Sequence, residues 1–363
     1  MKKILKKFIT ISLALLLAGS VNFKLYAQLN TSDTKYAVVN VNRASFRSGA
    51  GTQYKLIQKI TKDEKVQIVN YRGSWLKVKY KDKLGYVYYL YLIIMGEKTT
   101  TANSLALRSG PSTSNKKICT ISKNPKVYLI SQKQGWSRVY YEGKIGYVKG
   151  KYLKGKIRIC IDAGHQTVGD MKNTEPIAPG SSIRKARVTD GTQGTYTKIP
   201  EYKLNLNASK QLKEILKSRE YDVIVVRDIN NVDMSNVQRA KFANINQADA
   251  VIRLHGDGQD NHSYNGAEVL VPDDTEYTKA IYEDSYRLGE YMRDELKSAG
   301  VTMFGREIFK RDDLTGFNWS KIPTVLLEMG YMSNETDDYN LAKASYREKL
   351  MNCVANSLDD YFK

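Results

Sequence analysis

The chain has 363 residues, of which 57 are lysine or arginine and 38 are aspartate or glutamate, so its formal net charge is +19. With 42% hydrophobic residues, it is too apolar to be disordered throughout and long enough for two or three packed domains. Its three cysteines are too few for a disulfide framework. We expect Cys119 and Cys160, which lie in apolar strand-like runs, to be buried free thiols.

Residues 1–27 are predicted to be an export signal. Lysines precede an apolar run from Ile9 to Val21, and Leu25-Tyr26-Ala27 is a suitable cleavage site. The alternative is an uncleaved anchor, but the run is shorter than the about 20 residues that cross a bilayer. The segment LAGS at 17–20 is not followed by the cysteine of a lipoprotein site. We therefore expect a secreted protein without a stable membrane anchor after the signal is removed.

The positive charge of the remaining chain is confined to its first third. Residues 28–155 hold 24 lysines and arginines against 6 acidic residues, a net charge of +18, whereas residues 156–363 carry −4. This asymmetry indicates that residues 28–155 hold the protein on an anionic surface.

The basic region repeats itself at an offset of 61 residues without a gap. Short β-rich runs separated by Gly, Ser, Asn and Asp predict one small β-barrel for residues 35–96 and another for residues 97–155. The matched positions include Arg47-Ser48-Gly49 with Arg108-Ser109-Gly110, Trp75 with Trp136, Gly85-Tyr86-Val87 with Gly146-Tyr147-Val148, and Tyr91-Leu92 with Tyr152-Leu153. We expect Trp75, Trp136, Tyr86 and Tyr147 to belong to the barrel cores rather than to stack on a ligand.

Both copies resemble bacterial SH3 domains, whose pattern is an LNVRSGPS-like start, a central GW and a GYV near the end. The corresponding segments here are ASFRSGAG and LALRSGPS, GSW and QGW, and GYV in both copies. The resemblance implies binding to peptidoglycan or to anionic wall polymers, and no nucleic-acid partner.

Residues 156–363 follow a different pattern, in which strands alternate with helices. The predicted strands are 157–163, 221–227, 249–255 and 324–330, and the predicted helices are 201–217, 237–245, 277–296 and 337–358. This alternation predicts an α/β domain with a mostly parallel sheet flanked by helices.

Three ionisable side chains follow or end strands of this sheet. His165 follows the first strand, His255 ends the third, and Glu328 lies near the end of the last. Ligands of such sheets bind beyond the carboxyl ends of the strands, so we expect these side chains to lie together. A catalytic zinc ion takes three protein ligands and leaves a fourth position for water, which two histidines and one acid would satisfy. Spacing alone does not select that acid, although Glu201, at a helix start, is a candidate.

The order IDAGH, Glu201, His255 and LLEMGYMSN resembles the zinc-dependent N-acetylmuramoyl-L-alanine amidases of the amidase 3 family. That family reads DxGHGG, a later glutamate, SxHxN and E-x-G-F-x-S-N. The resemblance spans residues 157–363 and makes His165, Glu201 and His255 the zinc ligands and Glu328 the catalytic carboxylate. It implies a secreted autolysin-type hydrolase on the wall of a Gram-positive-type bacterium, cleaving the amide between N-acetylmuramic acid and L-alanine. Zinc would lower the pKa of water towards about 7, and Glu328 would pass the water proton to the leaving nitrogen.

The sequence departs from the family pattern beside two of these ligands. DAGHGG is DAGHQT here, and SxHxN is RLHGDG, so Gln166 and Arg253 replace small or hydroxyl residues. Arg253 faces the same way as His255 in a strand, and it is either a group that orients a carboxylate or part of a structural ion pair. Gln166 is expected to reshape the substrate groove. Asn318 and Trp319, just before the last strand, are further candidates for lining it.

Two other functions are considered. A cysteine–histidine wall peptidase would need an accessible cysteine at a helix start beside a histidine, and Cys160 lies inside an apolar strand run. A non-catalytic wall-binding protein would predict a damaged set of metal ligands, whereas all four positions are present.

Overall fold

The two repeats form two antiparallel sheets with the same strand order. A computed structural model describes residues 35–305 and 308–363, so the predicted export signal lies outside the described residues. The first sheet has the order β3-β2-β6-β5-β4-β1-β7 and the second the order β10-β9-β13-β12-β11-β8-β14, in which each strand number is raised by seven. The strands of the first repeat are Tyr36–Val39 (β1), Arg43–Arg47 (β2), Leu56–Thr61 (β3), Lys65–Arg72 (β4), Trp75–Tyr80 (β5), Lys83–Tyr88 (β6) and Leu92–Ile94 (β7). Those of the second are Gly96–Thr100 (β8), Ser104–Arg108 (β9), Lys117–Ser122 (β10), Lys126–Lys133 (β11), Trp136–Tyr141 (β12), Lys144–Lys149 (β13) and Leu153–Gly155 (β14).

The repeated aromatic residues differ in their burial. Trp136 is 8% exposed, as expected for a core residue. Trp75, Tyr86 and Tyr147 are only half-buried, so the expectation that they belong to the cores is wrong. Side chains on one face of each strand fill the core, and these three rings lie outside the buried clusters of their repeats. Closure of the two sheets into barrels stays a prediction.

The last part of the chain is an α/β domain built on a six-stranded sheet of order β18-β15-β19-β22-β20-β21. Its strands are Arg158–Ala163 (β15), Asp222–Val225 (β18), Ala250–Asp257 (β19), Glu268–Pro272 (β20), Phe309–Arg311 (β21) and Thr324–Tyr331 (β22), and Asp170–Pro176 (β16) forms a separate hairpin with Arg184–Val188 (β17). Its helices are Glu201–Ser218 (α1), Asn236–Ile245 (α2), Tyr282–Ser298 (α3), Thr315–Asn318 (α4), Glu335–Ala342 (α5) and Ala344–Phe362 (α6). The sheet is mixed, because β20 runs antiparallel to β22. The other neighbouring strands of this sheet are parallel.

Two of the predicted helices differ from the observed ones. The helix predicted from Tyr277 begins at Tyr282. The single C-terminal helix predicted for 337–358 is two helices, because Lys343 between them has an extended conformation with φ −78° and ψ 127°. Arg347 donates to the carbonyl of Leu341 at 2.5 Å and so satisfies one backbone acceptor at this break.

The two faces of the six-stranded sheet, which we call the catalytic sheet after its resemblance to the amidases, are covered by different parts of the chain. Ile159 and Ile161 of β15 belong to one buried cluster with residues of α1, α3 and α6. Cys160, which points the other way, belongs to a cluster with α2 and with the core of the first repeat. The first repeat therefore completes the second layer of the catalytic domain.

Polar contacts tie the same interface together. The guanidinium of Arg158 donates to the carbonyl of Ile94 at 2.8 Å, and the Ile94 amide donates to Asn246 Oδ1 at 2.7 Å. Lys35 contacts Asp222 at 2.8 Å, and Arg158 Nε contacts the same carboxylate at 2.7 Å.

Within residues 35–305 and 308–363, none of the helices combines the length and the apolar composition that a bilayer crossing demands.

Candidate active site

Three of the predicted residues converge at one edge of the catalytic sheet. The His165 Nε2 atom lies 3.2 Å from Glu201 Oε2, and His255 Nδ1 lies 3.2 Å from Glu201 Oε1. The two imidazoles approach each other to 3.2 Å between His255 Nδ1 and His165 Nε2. The side chains come from the end of β15, the start of α1 and β19, which the parallel pairing of β15 with β19 brings together.

His165 is oriented by a residue of the loop after β17. Its Nδ1 lies 3.0 Å from the carbonyl oxygen of Thr189 and 3.1 Å from the Thr189 hydroxyl. A carbonyl only accepts, so Nδ1 carries the proton and the lone pair of Nε2 faces Glu201. His165 has a φ of 57°, a left-handed conformation that turns the chain at the end of the strand.

Glu201 is 3% exposed and is held by three hydrogen-bond donors. They are the Thr192 amide at 2.9 Å, the Gly256 amide at 3.2 Å and the Asn205 side chain at 2.9 Å. Burial by itself raises the pKa of Glu201, but its contacts with the His165 and His255 imidazoles outweigh burial and hold the pKa well below its usual value. The group is therefore an ionised carboxylate.

Two glycines leave the space that these side chains occupy. A Cβ at Gly164 would lie 2.2 Å from the His255 ring, and a Cβ at Gly191 would lie 2.7 Å from Glu201 Oε2. Gly191 also has a φ of +79°, which favours glycine.

Burial lowers the pKa of His255 to about 4, so its imidazole is neutral at neutral pH.

The three side chains fit a tetrahedral zinc ion. Among the His, Cys, Asp and Glu side chains of residues 35–305 and 308–363, these three form the group that could hold a metal ion. Ligands bound to zinc at about 2.0–2.1 Å are about 3.3 Å apart in a tetrahedron, close to the 3.2 Å between the two imidazole nitrogens and between each nitrogen and one oxygen of Glu201, Oε2 for His165 and Oε1 for His255. With one ligand atom taken from each side chain, the three atoms lie within 4.8 Å of one another. Two histidines and one carboxylate also form a ligand set used by catalytic zinc.

Glu328 lies on the neighbouring strand and faces the same cavity. In the register of β19 with β22, His255 is directly opposite Glu328. A cavity of about 470 Å³ is lined by His165, His255 and Glu328, together with Arg253 and Arg311. Burial raises the pKa of Glu328 well above its usual value, and the negative charges of Glu201, Asp257 and Glu268 act in the same direction. A carboxyl whose pKa is raised in this way holds a proton more readily than an exposed glutamate does.

Arg253 forms the structural ion pair that was one of the two alternatives considered from the sequence. Its Nε atom lies 3.2 Å from Asp162 Oδ2, and Arg239 donates to the other carboxylate oxygen at 2.7 Å. Burial raises the pKa of Asp162, but the two arginines outweigh burial and hold it at about 2. Arg253 is thus part of a buried ion-pair network, and it also lines the cavity that contains Glu328.

The other side-chain candidates do not line the cavity. Gln166 is 1% exposed, and its amide bonds to the carbonyl of Val168 and to the Met234 amide, each at 3.1 Å. Asn318 donates to the Asp312 carbonyl at 2.7 Å, and Trp319 Nε1 donates to the Pro176 carbonyl at 2.9 Å. The part of this segment that lines the cavity is Asp313, Leu314, Thr315 and Gly316 instead.

Sequence reasoning missed the groups that orient the site. Thr189 acts through its backbone carbonyl as well as its hydroxyl, and a carbonyl leaves no trace in the residue type. The role of Asn205 could have been predicted, because it lies four residues after Glu201 on α1 and therefore on the same face of the helix. His262, seven residues after His255, is exposed in the loop between β19 and β20 and is not part of the group that could hold a metal ion.

The fold and the site define an α/β enzyme domain with a histidine–glutamate–histidine site for a cation and a second carboxyl beside it. The family model described as N-acetylmuramoyl-L-alanine amidase matches residues 159–360, and the bacterial SH3 domain model matches residues 42–93 and 103–154. The chain therefore belongs to the N-acetylmuramoyl-L-alanine amidase family and carries two bacterial SH3 domains.

Similar proteins agree with this assignment. The chain is 26% identical over 206 residues to the N-acetylmuramoyl-L-alanine amidase of Mycobacterium tuberculosis, covering 55% of this chain and 84% of the relative. It is 25% identical over 287 residues to a probable cell wall amidase of Staphylococcus epidermidis, covering 74% of this chain and 84% of the relative. The crystal structure of an N-acetylmuramyl-L-alanine amidase from Mycobacterium abscessus superposes with a TM-score of 0.54 at 26% identity, covering 58% of this chain and 100% of the other.

Proposed function

We propose that this protein hydrolyses the amide bond between N-acetylmuramic acid and L-alanine in peptidoglycan, with zinc bound by His165, Glu201 and His255. The observation that carries the proposal is that the ligand atoms of these three side chains lie within 4.8 Å of one another beside Glu328, in a chain of the amidase family. When bound, zinc supplies a Lewis acid that polarises the amide carbonyl and makes water more acidic.

The protein's own groups supply orientation and proton transfer. Thr189 keeps the lone pair of His165 Nε2 directed at the cation site, and the donors around Glu201 hold its carboxylate in place. Glu328 takes the proton of the attacking water and delivers it to the leaving nitrogen. The amide C–N bond breaks, a C–O bond forms, and the products are a lactyl carboxylate on the glycan and a peptide with a free N-terminal alanine.

The remaining assignments are part of the same proposal. Residues 1–27 are an export signal, and residues 35–96 and 97–155 are SH3 domains that hold the catalytic domain, residues 156–363, on the cell wall of a Gram-positive-type bacterium. The charge of +18 on residues 28–155 supports attachment to anionic wall polymers as well as to peptidoglycan. The rival cysteine peptidase loses support, because Cys160 and Cys353 are buried and burial raises the pKa of the Cys160 thiol well above its usual value. The expectation that Cys119 is buried is wrong, because it is half-buried, but it lies in strand β10 and not at a helix start.

The test is a digestion of purified peptidoglycan by residues 28–363. The products should contain new N-terminal alanine and no new reducing sugar ends. Metal analysis should find about one zinc per chain. Glu328→Gln should lower the rate by about 10²–10⁴-fold without changing the zinc content, because only proton transfer is lost. New reducing ends, or full activity after chelation or in Glu328→Gln, would contradict the proposal.

A further inference from the structure

A second, larger cavity lies between the first repeat and the catalytic domain. Its volume is about 1250 Å³, and its walls include Trp75, Tyr88 and Tyr91 on one side and Asp170 and Asn231 on the other. We call this cavity the junction cleft. Sites for small ligands occupy about 300–1,000 Å³, so the junction cleft is large enough for a segment of an extended ligand.

The two walls of the junction cleft are fixed to each other. The Tyr88 hydroxyl accepts a hydrogen bond from Gln238 Nε2 at 2.7 Å, and the Tyr89 hydroxyl donates to the Gln238 carbonyl at 2.9 Å. The Ser74 hydroxyl donates to the carbonyl of Asp233. Because these contacts form on folding, a ligand does not have to order the two domains against each other when it binds.

The chemistry of the walls fits a carbohydrate. Tyr88 lies edge-on to both Trp75 and Tyr91, with ring centroids 5.8 and 5.2 Å away, and Tyr91 is 37% exposed. Aromatic rings of this kind offer an apolar face and a polar edge. Across the cleft, Asn173 and Asn231 offer amide donors and acceptors. An N-acetylated amino-sugar chain presents apolar C–H faces together with hydroxyl and amide groups, which matches both walls.

The junction cleft also lies next to the candidate active site. In strand β17, Ala186 and Val188 line the active-site cavity, whereas Arg187 between them lines the junction cleft. Neighbouring side chains of a strand point to opposite faces, so β17 is a wall shared by the two cavities. His165 lines one cavity, and the next residue, Gln166, lines the other.

The second repeat does not present an equivalent surface. At the offset of 61 residues, Tyr88 corresponds to Lys149 and Tyr89 to Gly150. The Lys149 ammonium lies over the ring of Trp136 at 4.4 Å from its centroid, and Trp136 is buried. Tyr88 and Tyr89, which bond to Gln238 of the α/β domain, are therefore particular to the first copy.

We propose that the junction cleft binds the glycan strand of peptidoglycan, so that the first repeat and the catalytic domain form one substrate-binding surface. This inference rests on the proposed function, which makes peptidoglycan the substrate. The first repeat is then part of the enzyme's specificity, whereas the second repeat acts only in attachment to the wall.

The experiment measures binding of peptide-free glycan strands to residues 28–363 by titration calorimetry. These strands keep their N-acetyl groups but lack the amide between the lactyl group and L-alanine, so the active enzyme does not consume them. Tyr91→Ala should raise Kd roughly 3- to 10-fold, as expected for one aromatic contact. Arg72 also lines the junction cleft, so Arg72→Ala, which removes its hydrogen-bond donors, should raise Kd as well. The matched variants of the second repeat, Tyr152→Ala and Lys133→Ala, should leave Kd unchanged. Unfolding midpoints of all four variants check that each protein is folded.

The outcomes separate this inference from the proposed function. No binding of glycan by the wild-type chain, equal Kd in Tyr91→Ala and wild type, or an equal loss in Tyr152→Ala would overturn the assignment of the junction cleft. Competition by free stem peptides for the cleft would assign it to the peptide instead and overturn it too. If glycan binds as expected but no amide is cleaved, the proposed function fails and the glycan site stands.

Discussion

Tyr89 allows a direct test of whether the first repeat is part of the catalytic core. Its side chain is 2% exposed, its ring centroid lies 5.6 Å from that of Phe242 in α2, and its hydroxyl donates to the Gln238 carbonyl at 2.9 Å. Replacing a buried aromatic residue by alanine costs about 3–5 kcal/mol. Tyr89→Phe keeps the ring and loses one hydrogen bond, which costs about 1 kcal/mol. We expect these losses of stability to reach the catalytic sheet, because β15 packs in the same cluster.

The assay is native-state hydrogen exchange on residues 28–363, read on peptides from β15 and β19. The free energy of opening of these strands should fall by about 3–5 kcal/mol in Tyr89→Ala and by about 1 kcal/mol in Tyr89→Phe. Trp136→Ala, which removes a buried ring from the second repeat, should leave them unchanged. If Tyr89→Ala lowers protection in β5 and β6 but not in β15 and β19, the first repeat is an independent domain and the reasoning is refuted.

Three further predictions concern packing, pH and salt. Gly316→Ala would place a Cβ 1.7 Å from Arg253 Nη1. We therefore expect the free energy of unfolding, measured by heat or urea, to fall by about 1–3 kcal/mol and the activity to be reduced. Unchanged stability would show that the guanidinium moves freely. Burial raises the pKa of Asp222, but Arg158 and Lys35 lower it from 3.8 to about 2, so the ionised carboxylate stabilises the fold above about pH 4. That stabilisation, roughly 2 kcal/mol, is lost as the pH falls from about 4 through about 2. The wild type should therefore be more stable than Asp222→Asn above about pH 4, and the difference between the two should shrink as the pH falls. Acid titration followed by circular dichroism measures this difference. Retention of the whole chain on purified cell walls should weaken steeply as salt is raised if the basic repeats act by charge, and salt-insensitive retention would show pocket recognition instead.

Much of the catalytic domain was predictable from the sequence. Strands such as β15 and β22 are buried on both faces, so they appear as continuous apolar runs that end in polar groups. The antiparallel strand β20 and the hairpin of β16 and β17 were not predicted. The hairpin lies outside the main sheet, and most residues of β16 are exposed, so it has no apolar run.

The candidate site was likewise predictable from the sequence only in part. His165, His255 and Glu328 were expected to lie together because parallel strands end at one edge of a sheet, and the structure brings them together with Glu201. Asn318 was expected near the groove from its position in the chain, yet it turns inward to the Asp312 carbonyl. Position in a loop does not decide the direction of a side chain, because that depends on contacts made elsewhere.

The sequence by itself determined the repeated β units, the alternation of strands and helices, and the order of the ionisable residues at the strand ends. These features depend on local periodicity and residue chemistry, which are written along the chain. Only the tertiary structure decided that the Cys160 face of the catalytic sheet is covered by the first repeat, and that a cleft forms at this junction. The alternation of side chains along a strand shows that both faces are buried, but it cannot show which distant segment buries them.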